Sequence, residues 1–199
     1  MTRPRCLITG SCYGLGLALK HEFSRDFDII EYDLALGQDL NLESVRHQLI
    51  EDLGHCQLFF NNSQAYQVEL LEQSHALQTD LAIVNSSSAV DYYTPDAELL
   101  DPSWDTYRTQ KTLLNQRIRE LHDQQAQGVL TRSWIVNLRL TWMDTPEHQD
   151  RLVNKLDPGD IAGYVRHLLG CWPRVSVQDV LLTGFPTPSE IKPWINANV

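Results

Sequence analysis

The chain has 199 residues, of which 42% are hydrophobic and 21% charged, as is typical of a folded globular protein. Its formal net charge of −10 argues against nucleic acid or an anionic membrane as a partner, because both attract clustered lysine and arginine. No apolar run approaches the roughly 20 residues that span a bilayer, and the first residues lack the apolar core of a signal peptide. The four cysteines have no metal-ligand spacing, so we expect reduced thiols, no metal site and a cytoplasmic location.

Short apolar runs alternate with longer amphipathic stretches, which indicates an α/β protein built on a mainly parallel sheet. In chain order, the predicted strands are residues 6–9, 28–32, 57–60, 81–85, 133–138 and 179–182. The predicted helices are residues 14–24, 42–53, 68–77, 102–127 and 158–169. The longest helix is expected to start at Pro102, because proline at the first helical position loses no hydrogen bond. No linker composition interrupts this pattern, so we expect a single domain over residues 1–199.

The connection after the second predicted strand is unusually short. Only five residues lie between Asp33 and Asp39, whereas a parallel crossover needs about a dozen or more. A helix and a further strand do not fit between them. We therefore expect the strand that ends at Asp33 to lie at an edge of the sheet.

The segment between the first predicted strand and the first predicted helix reads Thr-Gly-x-x-x-Gly-x-Gly, with glycines at positions 10, 14 and 16. Glycine allows a tight turn and lets the backbone approach a pyrophosphate, while the N-terminus of the following helix offers free N–H groups and a positive dipole. The alternative is a turn that needs glycine for steric reasons alone. A dinucleotide-binding loop is favoured because the other motifs agree with it.

A second motif lies on the longest predicted helix, where Tyr107 and Lys111 are four residues apart and share one helix face. The pKa of an unperturbed phenol is about 10, and a nearby ammonium group is expected to lower it by favouring the phenolate. Tyr107 would then act as a general acid or base on a carbonyl or alcohol oxygen. The alternatives are a pair that only supports the helix and, for the three serines at 86–88, a polar turn after a strand.

Seven short motifs occur in the order in which they occur in the short-chain dehydrogenase/reductase family, and the chain resembles that family over nearly its whole length. The matching segments are residues 9–16, 33, 39–40, 60–63, 85–89, 107–111 and 144–146. The resemblance implies a Rossmann-like, doubly wound, mainly parallel sheet of about six strands with helices on both faces and without the third family strand. It also implies an NAD(P)-dependent oxidoreductase that transfers a hydride between a nicotinamide and a small carbonyl or alcohol substrate.

The resemblance assigns roles residue by residue. The catalytic residues that it implies are Ser88, Tyr107 and Lys111. The residues that it places at the cofactor are Gly10, Ser11, Tyr13, Gly14, Leu15, Gly16, Asp33, Asp39, Leu40, Asn61, Asn62, Tyr107, Lys111 and Thr145. A carboxylate at Asp33 would accept hydrogen bonds from a ribose 2′-OH and repel a 2′-phosphate, so NAD is the expected cofactor, with NADP as the alternative.

Departures from the family's pattern keep a second interpretation open. The family's asparagine in the helix before its fifth strand, which supports a water-linked proton relay, has no counterpart, and this segment offers Gln73, Ser74 and His75 instead. The alternative function is a dinucleotide-binding protein with little or no catalysis that acts as a sensor or an interaction partner. The helix at 102–127 carries apolar positions that belong either to the core or to the interface of a homo-oligomer, namely Leu113, Leu114, Ile118 and Leu121.

Overall fold

The computed structural model describes residues 2–77, 79–88, 102–128, 132–141, 143, 155–171 and 177–182. The strands are β1 (Arg5–Thr9), β2 (Asp28–Tyr32), β3 (Leu58–Asn61), β4 (Ala82–Ser88), β5 (Trp134–Leu140) and β6 (Asp179–Leu182). The helices are α1 (Gly14–Phe23), α2 (Glu43–Leu53), α3 (Gln67–Ala76), α4 (Pro102–Ala126) and α5 (Pro158–Cys171). These elements agree with the predicted ones to within a few residues at each end.

The six strands form one sheet in the order β2-β1-β3-β4-β5-β6, and every neighbouring pair is parallel. The order reverses at β1: the chain first goes from β1 to β2 on one side, and then crosses back through α2 to β3 on the other side. The carboxyl ends of strands at such a reversal form the crevice in which open α/β sheets bind ligands. The predicted Rossmann-like fold is thereby confirmed.

Strand β2 lies at the edge of the sheet formed by the described strands, as its short connection predicts. The residues after it form a single 3₁₀ turn, Leu34–Leu36, before the chain enters α2. The side chain of Asp33 accepts a hydrogen bond from the Ala35 backbone N–H at 2.8 Å and so caps this turn. One turn therefore stands where the family has a further helix and strand, and the prediction that the third family strand is missing is confirmed.

The core consists of two layers, one on each face of the sheet. Alternate residues of a strand point to opposite faces, so Ile8 and Leu7 of β1 belong to different layers. Helices α1 and α5 cover the face of Ile8, and their buried residues are Leu15, Leu19, Phe23, Ile161, Ala162, Val165 and Leu168. Helices α2, α3 and α4 cover the face of Leu7, and their buried residues are Leu49, Leu53, Leu70, Leu71, Leu114, Ile118 and Leu121.

Strand β4 is longer than the sequence predicts, because it continues through Ser86 and Ser87 to Ser88 instead of ending at residue 85. The three serines pair with Leu138, Arg139 and Leu140 of β5. The alternative that they form a polar turn is therefore wrong. All three are buried and pair with β5 alone, because the pairing with β3 ends at Asn85. A hydroxyl-rich sequence does not by itself indicate a strand.

All four cysteines are free thiols. Within the described part of the chain, no helix combines the length and the apolar character that crossing a membrane requires.

Candidate active site

The glycine loop follows β1 at the point where the strand order reverses. Gly10 has φ of +65°, a left-handed conformation that favours glycine. At Gly16, a Cβ atom would overlap the carbonyl oxygen of Gly10, so the chain requires glycine there for a close backbone approach. Tyr13, at the N-cap of α1, makes no side-chain hydrogen bond to the first turn of the helix, and that turn contains no acidic residue. The N–H groups of this turn are suited to an anion such as a pyrophosphate.

Thr9 fastens the glycine loop to the turn after β3. Its Oγ1 accepts hydrogen bonds from the backbone N–H groups of Asn62 (2.9 Å) and Ser63 (3.0 Å) and donates one to the carbonyl of Phe60 (3.3 Å). The Asn62 side chain donates to the Gly10 carbonyl at 3.2 Å. The two loops that border the crevice are thus held together by one hydroxyl and one amide.

Asn61 is fully buried and faces away from this turn. Its Nδ2 donates to the backbone carbonyl of Gln67 (2.8 Å) and to Oδ1 of Asn85 (2.9 Å). Its amide therefore links β3 to β4 and to the start of α3, inside the protein. Of the two predicted asparagines, Asn62 has its side chain at the glycine loop.

Asp33 and Asp39, the two acidic residues predicted at the cofactor, accept hydrogen bonds from the protein itself. Asp33 accepts from the backbone N–H groups of Cys12 (2.9 Å) and Ala35 (2.8 Å), so its carboxylate bridges the glycine loop and the 3₁₀ turn. Asp39 accepts from the backbone N–H and the side-chain amide of Asn41, each at 2.9 Å.

The other residues predicted at the cofactor divide by exposure. Ser11, Leu15 and Gly16 are buried, and Gly14 is half-buried at the start of α1. Leu40 is 8% exposed and packs in the core layer of α2, α3 and α4. Tyr13 is 69% exposed beside the loop. The last predicted cofactor residue, Thr145, lies outside the described residues.

The predicted catalytic residues come together at the carboxyl end of β4. The side chains of Tyr107 on α4 and Ser88 share a hydrogen bond, and the Nζ atom of Lys111 lies 5.4 Å from the centroid of the Tyr107 ring. Lys111 is 5% exposed. A buried hydroxyl, a buried amine and a half-buried phenol thus lie together at the end of β4.

Burial controls the protonation of this group. It raises the pKa of Tyr107 above its ordinary value, and the hydrogen bond from Ser88 only partly opposes that rise. It also lowers the pKa of Lys111 to about 7. The expectation that an ammonium group lowers the pKa of Tyr107 is therefore wrong, because burial raises this pKa. Burial also brings the pKa of Lys111 to about 7, so its amine is only partly charged at pH 7.

Gln67, the first residue of α3, is a site residue that the sequence does not reveal. Its side-chain Oε1 accepts a hydrogen bond from Lys111 Nζ at 2.5 Å, and its Nε2 donates to the carbonyls of Asn61 (2.7 Å) and Ser86 (3.2 Å). The polar residues that the sequence offers as candidates in this segment are Gln73, Ser74 and His75, which all lie further along the helix. The only signal is a polar residue three and four positions before the buried residues Leu70 and Leu71, at a helix start where polar residues are common.

Asn115 is a second residue that the sequence analysis misses. It is 2% exposed and lies four residues after Lys111, so Tyr107, Lys111 and Asn115 share one face of α4. Its Nδ2 donates to the carbonyl of Ser88 at 3.0 Å, and its Oδ1 accepts from Ser87 Oγ and from Asn137 Nδ2. The sequence signal for Asn115 is its position four residues after Lys111, which repeats the spacing between Tyr107 and Lys111.

Helix α4 also carries the predicted core or interface positions. Leu114, Ile118 and Leu121 are buried within this chain, and Leu113 is 52% exposed. A homo-oligomer through residues 102–127 stays a prediction. Among the residues that the structure describes, no three histidine, cysteine or acidic side chains are grouped so that they could hold a metal ion.

No protein-family model and no curated protein matches the sequence, but solved structures match the fold. A short-chain dehydrogenase from Burkholderia cenocepacia J2315, in complex with NADP, is 16% identical with a TM-score of 0.68, over 91% of this chain and 96% of that one. One from Burkholderia phymatum, in complex with NAD, is 14% identical with a TM-score of 0.67, over 98% and 92%. One from Streptomyces avermitilis is 13% identical with a TM-score of 0.69, over 99% and 93%.

At these identities the likeness concerns the fold. The chain has the fold of the short-chain dehydrogenases/reductases, and its described strands lie in the order β2-β1-β3-β4-β5-β6. This agrees with the order of the motifs in the sequence.

Proposed function

We propose that the protein is an NAD(P)-dependent oxidoreductase that acts on a small carbonyl or alcohol substrate. The observation that carries the proposal is the hydrogen-bonded pair of Ser88 and Tyr107 with the amine of Lys111 buried beside it. Lys111 bonds Gln67, and Gln67 bonds the Asn61 carbonyl at the end of β3. The next residue in the chain, Asn62, bonds the Gly10 carbonyl of the glycine loop. The two halves that an oxidoreductase of this fold requires therefore belong to one bonded unit.

The residues of the glycine loop fit a dinucleotide. Gly10 has a left-handed backbone conformation, and Gly16 lets α1 begin in close contact with the Gly10 carbonyl, so both glycines shape the turn. The first turn of α1 then offers N–H groups that no side chain of the N-cap residue satisfies. These groups would hold the pyrophosphate. When bound, the nicotinamide supplies or accepts the hydride, and the protein supplies placement and the proton.

Tyr107 would transfer that proton. Its raised pKa keeps the phenol protonated at neutral pH, so it can donate to a carbonyl oxygen as the hydride arrives at the carbonyl carbon. Ser88 would donate a hydrogen bond to the same oxygen and stabilise the charge that develops on it. Carbonyl reduction is thus the direction that the site supports directly at neutral pH, since alcohol oxidation needs the phenol to lose its proton first.

The proposed cofactor is NAD, with NADP as the alternative. The carboxylate of Asp33 carries its charge at the end of β2, bonded to N–H groups of the glycine loop and the 3₁₀ turn. A negative charge at this place accepts hydrogen bonds from a ribose and repels a 2′-phosphate. NADH should therefore bind more tightly than NADPH in a calorimetric titration, and the reverse order would contradict the preference.

A second candidate is a dinucleotide-binding protein without turnover. The observation that favours it is the close confinement of Lys111, whose Nζ donates to Gln67 Oε1 and to the Ser86 carbonyl and is nearly removed from solvent. A lysine bonded in this way has fewer donors left for a cofactor. Binding of NADH without turnover of any carbonyl substrate would support this candidate.

One experiment separates the two functions. NADH binding is followed by its fluorescence, and NADH oxidation is then measured with a panel of aldehydes and ketones. Tyr107→Phe should abolish turnover and leave NADH binding unchanged, because it removes only the proton donor. The matched control is Tyr164→Phe, which removes a phenol hydroxyl from an exposed position on α5 and should leave turnover unchanged. A wild-type protein that binds neither NADH nor NADPH would refute both candidates.

A further inference from the structure

We propose that Gln67 is a positioning residue that holds the amine of Lys111 by a direct hydrogen bond and fixes its orientation toward Tyr107. This inference rests on the proposed function, because it describes how the lysine of that site is held. The family that the sequence resembles relies on an asparagine and a water-linked relay in the helix that precedes this part of the sheet. Here an amide from the first residue of α3 reaches the lysine itself.

The contacts of Gln67 account for every polar atom of its side chain. Nε2 donates to the carbonyls of Asn61 on β3 (2.7 Å) and Ser86 on β4 (3.2 Å), and Oε1 accepts from Lys111 on α4 (2.5 Å). The residue is 5% exposed. A buried side chain that bonds two strands and one helix holds one rotamer, and the position of the amine that it bonds is fixed with it.

The amine of Lys111 has three N–H groups. One donates to Gln67 Oε1 and one to the carbonyl of Ser86 (3.0 Å). The remaining group is the one available to the cofactor or to Tyr107. Among the residues that the structure describes, the groups that face this amine are the neutral amide from α3, the neutral carbonyl from β4 and the Tyr107 ring on its own helix. Of these, only the phenol titrates. Burial lowers the pKa of the lysine, and the Gln67 amide and the Ser86 carbonyl are the acceptors that oppose this effect by bonding its N–H groups.

The strained backbone of Tyr66, the residue before Gln67, supports the positioning role of Gln67. Tyr66 has φ of +60°, a left-handed conformation that costs a tyrosine roughly 1 kcal/mol or more. It is the only non-glycine residue with positive φ in the described part of the chain. The guanidinium of Arg46 lies 4.2 Å from the centroid of the Tyr66 ring and also donates to the Leu40 carbonyl at 2.6 Å. Arg46 thus packs on Tyr66, the strained residue that comes directly before Gln67.

The direct test is a titration of Lys111 by NMR. The sequence contains four lysines, so protein labelled with ¹³Cε-lysine gives few signals, and the loss of one signal in Lys111→Met assigns it. Gln67→Met removes the acceptor and should lower the titration midpoint of Lys111 by about one pH unit. Gln67→Glu places a carboxylate beside the amine and should raise the midpoint by about one unit or more. Two shifts in opposite directions are not expected from loosened packing.

The control is Ser74→Ala, at a fully buried polar residue of the same helix whose hydroxyl donates only to the Leu71 carbonyl of its own helix. It should leave the Lys111 midpoint in place. If both Gln67 variants leave the midpoint unchanged, or shift it as Ser74→Ala does, the positioning role is refuted. Because the titration needs neither cofactor nor substrate, it can succeed or fail independently of the proposed oxidoreductase activity.

The kinetic readout is the pH profile of carbonyl reduction. Proton donation leaves a phenolate on Tyr107, and a charged Lys111 stabilises it. The alkaline limb of kcat/KM should therefore move to lower pH in Gln67→Met and to higher pH in Gln67→Glu, in step with the NMR midpoints. An active wild-type enzyme whose alkaline limb stays in place in both variants would show that Gln67 serves the fold and not the lysine.

Discussion

The burial of Lys111 predicts how the stability of the protein changes with pH. A lysine in an unfolded chain has a pKa of about 10.4, whereas burial lowers the pKa of Lys111 in the folded protein to about 7. Between these two pH values the unfolded chain binds a proton that the folded protein lacks. The free energy of unfolding is therefore expected to rise as the pH increases from about 7 to 10 and to be independent of this group below pH 7.

The expected magnitude follows from one proton. One pH unit in this window corresponds to about 1.36 kcal/mol. Lys111→Met removes the titrating group, so the stability of the wild type relative to this variant should increase by about 2 kcal/mol between pH 8 and 9.5. Urea denaturation of both proteins at pH 6, 7, 8 and 9.5, followed by tryptophan fluorescence, measures the difference, and titrations common to both proteins cancel in it.

The matched control is Lys20→Met on α1. Lys20 has about a third of its side chain exposed and pairs with Glu31 at 2.9 Å. Its replacement should give a stability difference from the wild type that changes little over the same pH range. Wild-type and Lys111→Met curves that stay parallel from pH 7 to 9.5 would refute the reasoning, because they would show that the amine keeps its ordinary pKa in the folded protein.

Three further predictions concern the cofactor and the catalytic group. Gly16→Ala should abolish NADH binding in a fluorescence titration, because its Cβ would overlap the Gly10 carbonyl. The control is Gly163→Ala, whose Cβ meets open space in α5. This variant should bind NADH normally, and its free energy of unfolding in urea denaturation should rise by about 0.5–1 kcal/mol. Asn115→Leu should lower kcat for carbonyl reduction by about 100-fold with little change in KM for NADH, since it releases the strand end that carries the candidate catalytic serine. Asp33→Ser should raise the ratio of NADPH to NADH affinity by at least about tenfold in calorimetry, and an unchanged ratio would contradict the assigned cofactor preference.

The fold could be predicted from the sequence because its signals are local. The glycine loop follows an apolar strand and opens a helix, and five residues after Asp33 exclude a further crossover. Both properties depend on chain length and on residue type alone. The order of the strands then follows from a short list of allowed connections.

The candidate site could be predicted only in part. The spacing of Tyr107 and Lys111 is visible in the sequence, because a helix brings residues four apart onto one face. The role of Gln67 is not, because it depends on the carbonyls of two strands meeting at the start of a third element. Strand β4 was predicted too short for a related reason: its last three residues are serines, and only their pairing with β5 identifies them as strand.

The protonation of the site shows the same limit. The sequence suggests that a cation beside Tyr107 lowers the pKa of the phenol, and the structure gives the opposite direction. Desolvation depends on how completely other elements cover the two side chains, and no local pattern reports that coverage. The corrected direction keeps the Tyr107 phenol protonated at neutral pH, as the proposed proton donor must be, and brings the pKa of Lys111 to about 7.

The most direct measurement is a crystal structure of the protein soaked with NADH. The account predicts that the pyrophosphate lies on the glycine loop and that the nicotinamide ring faces the Ser88–Tyr107 pair. A gap beside its C4 atom should then hold a carbonyl carbon at about 3–3.5 Å. A dinucleotide that binds away from the loop, or whose nicotinamide ring points away from Tyr107, would contradict the assignment of this site to hydride transfer.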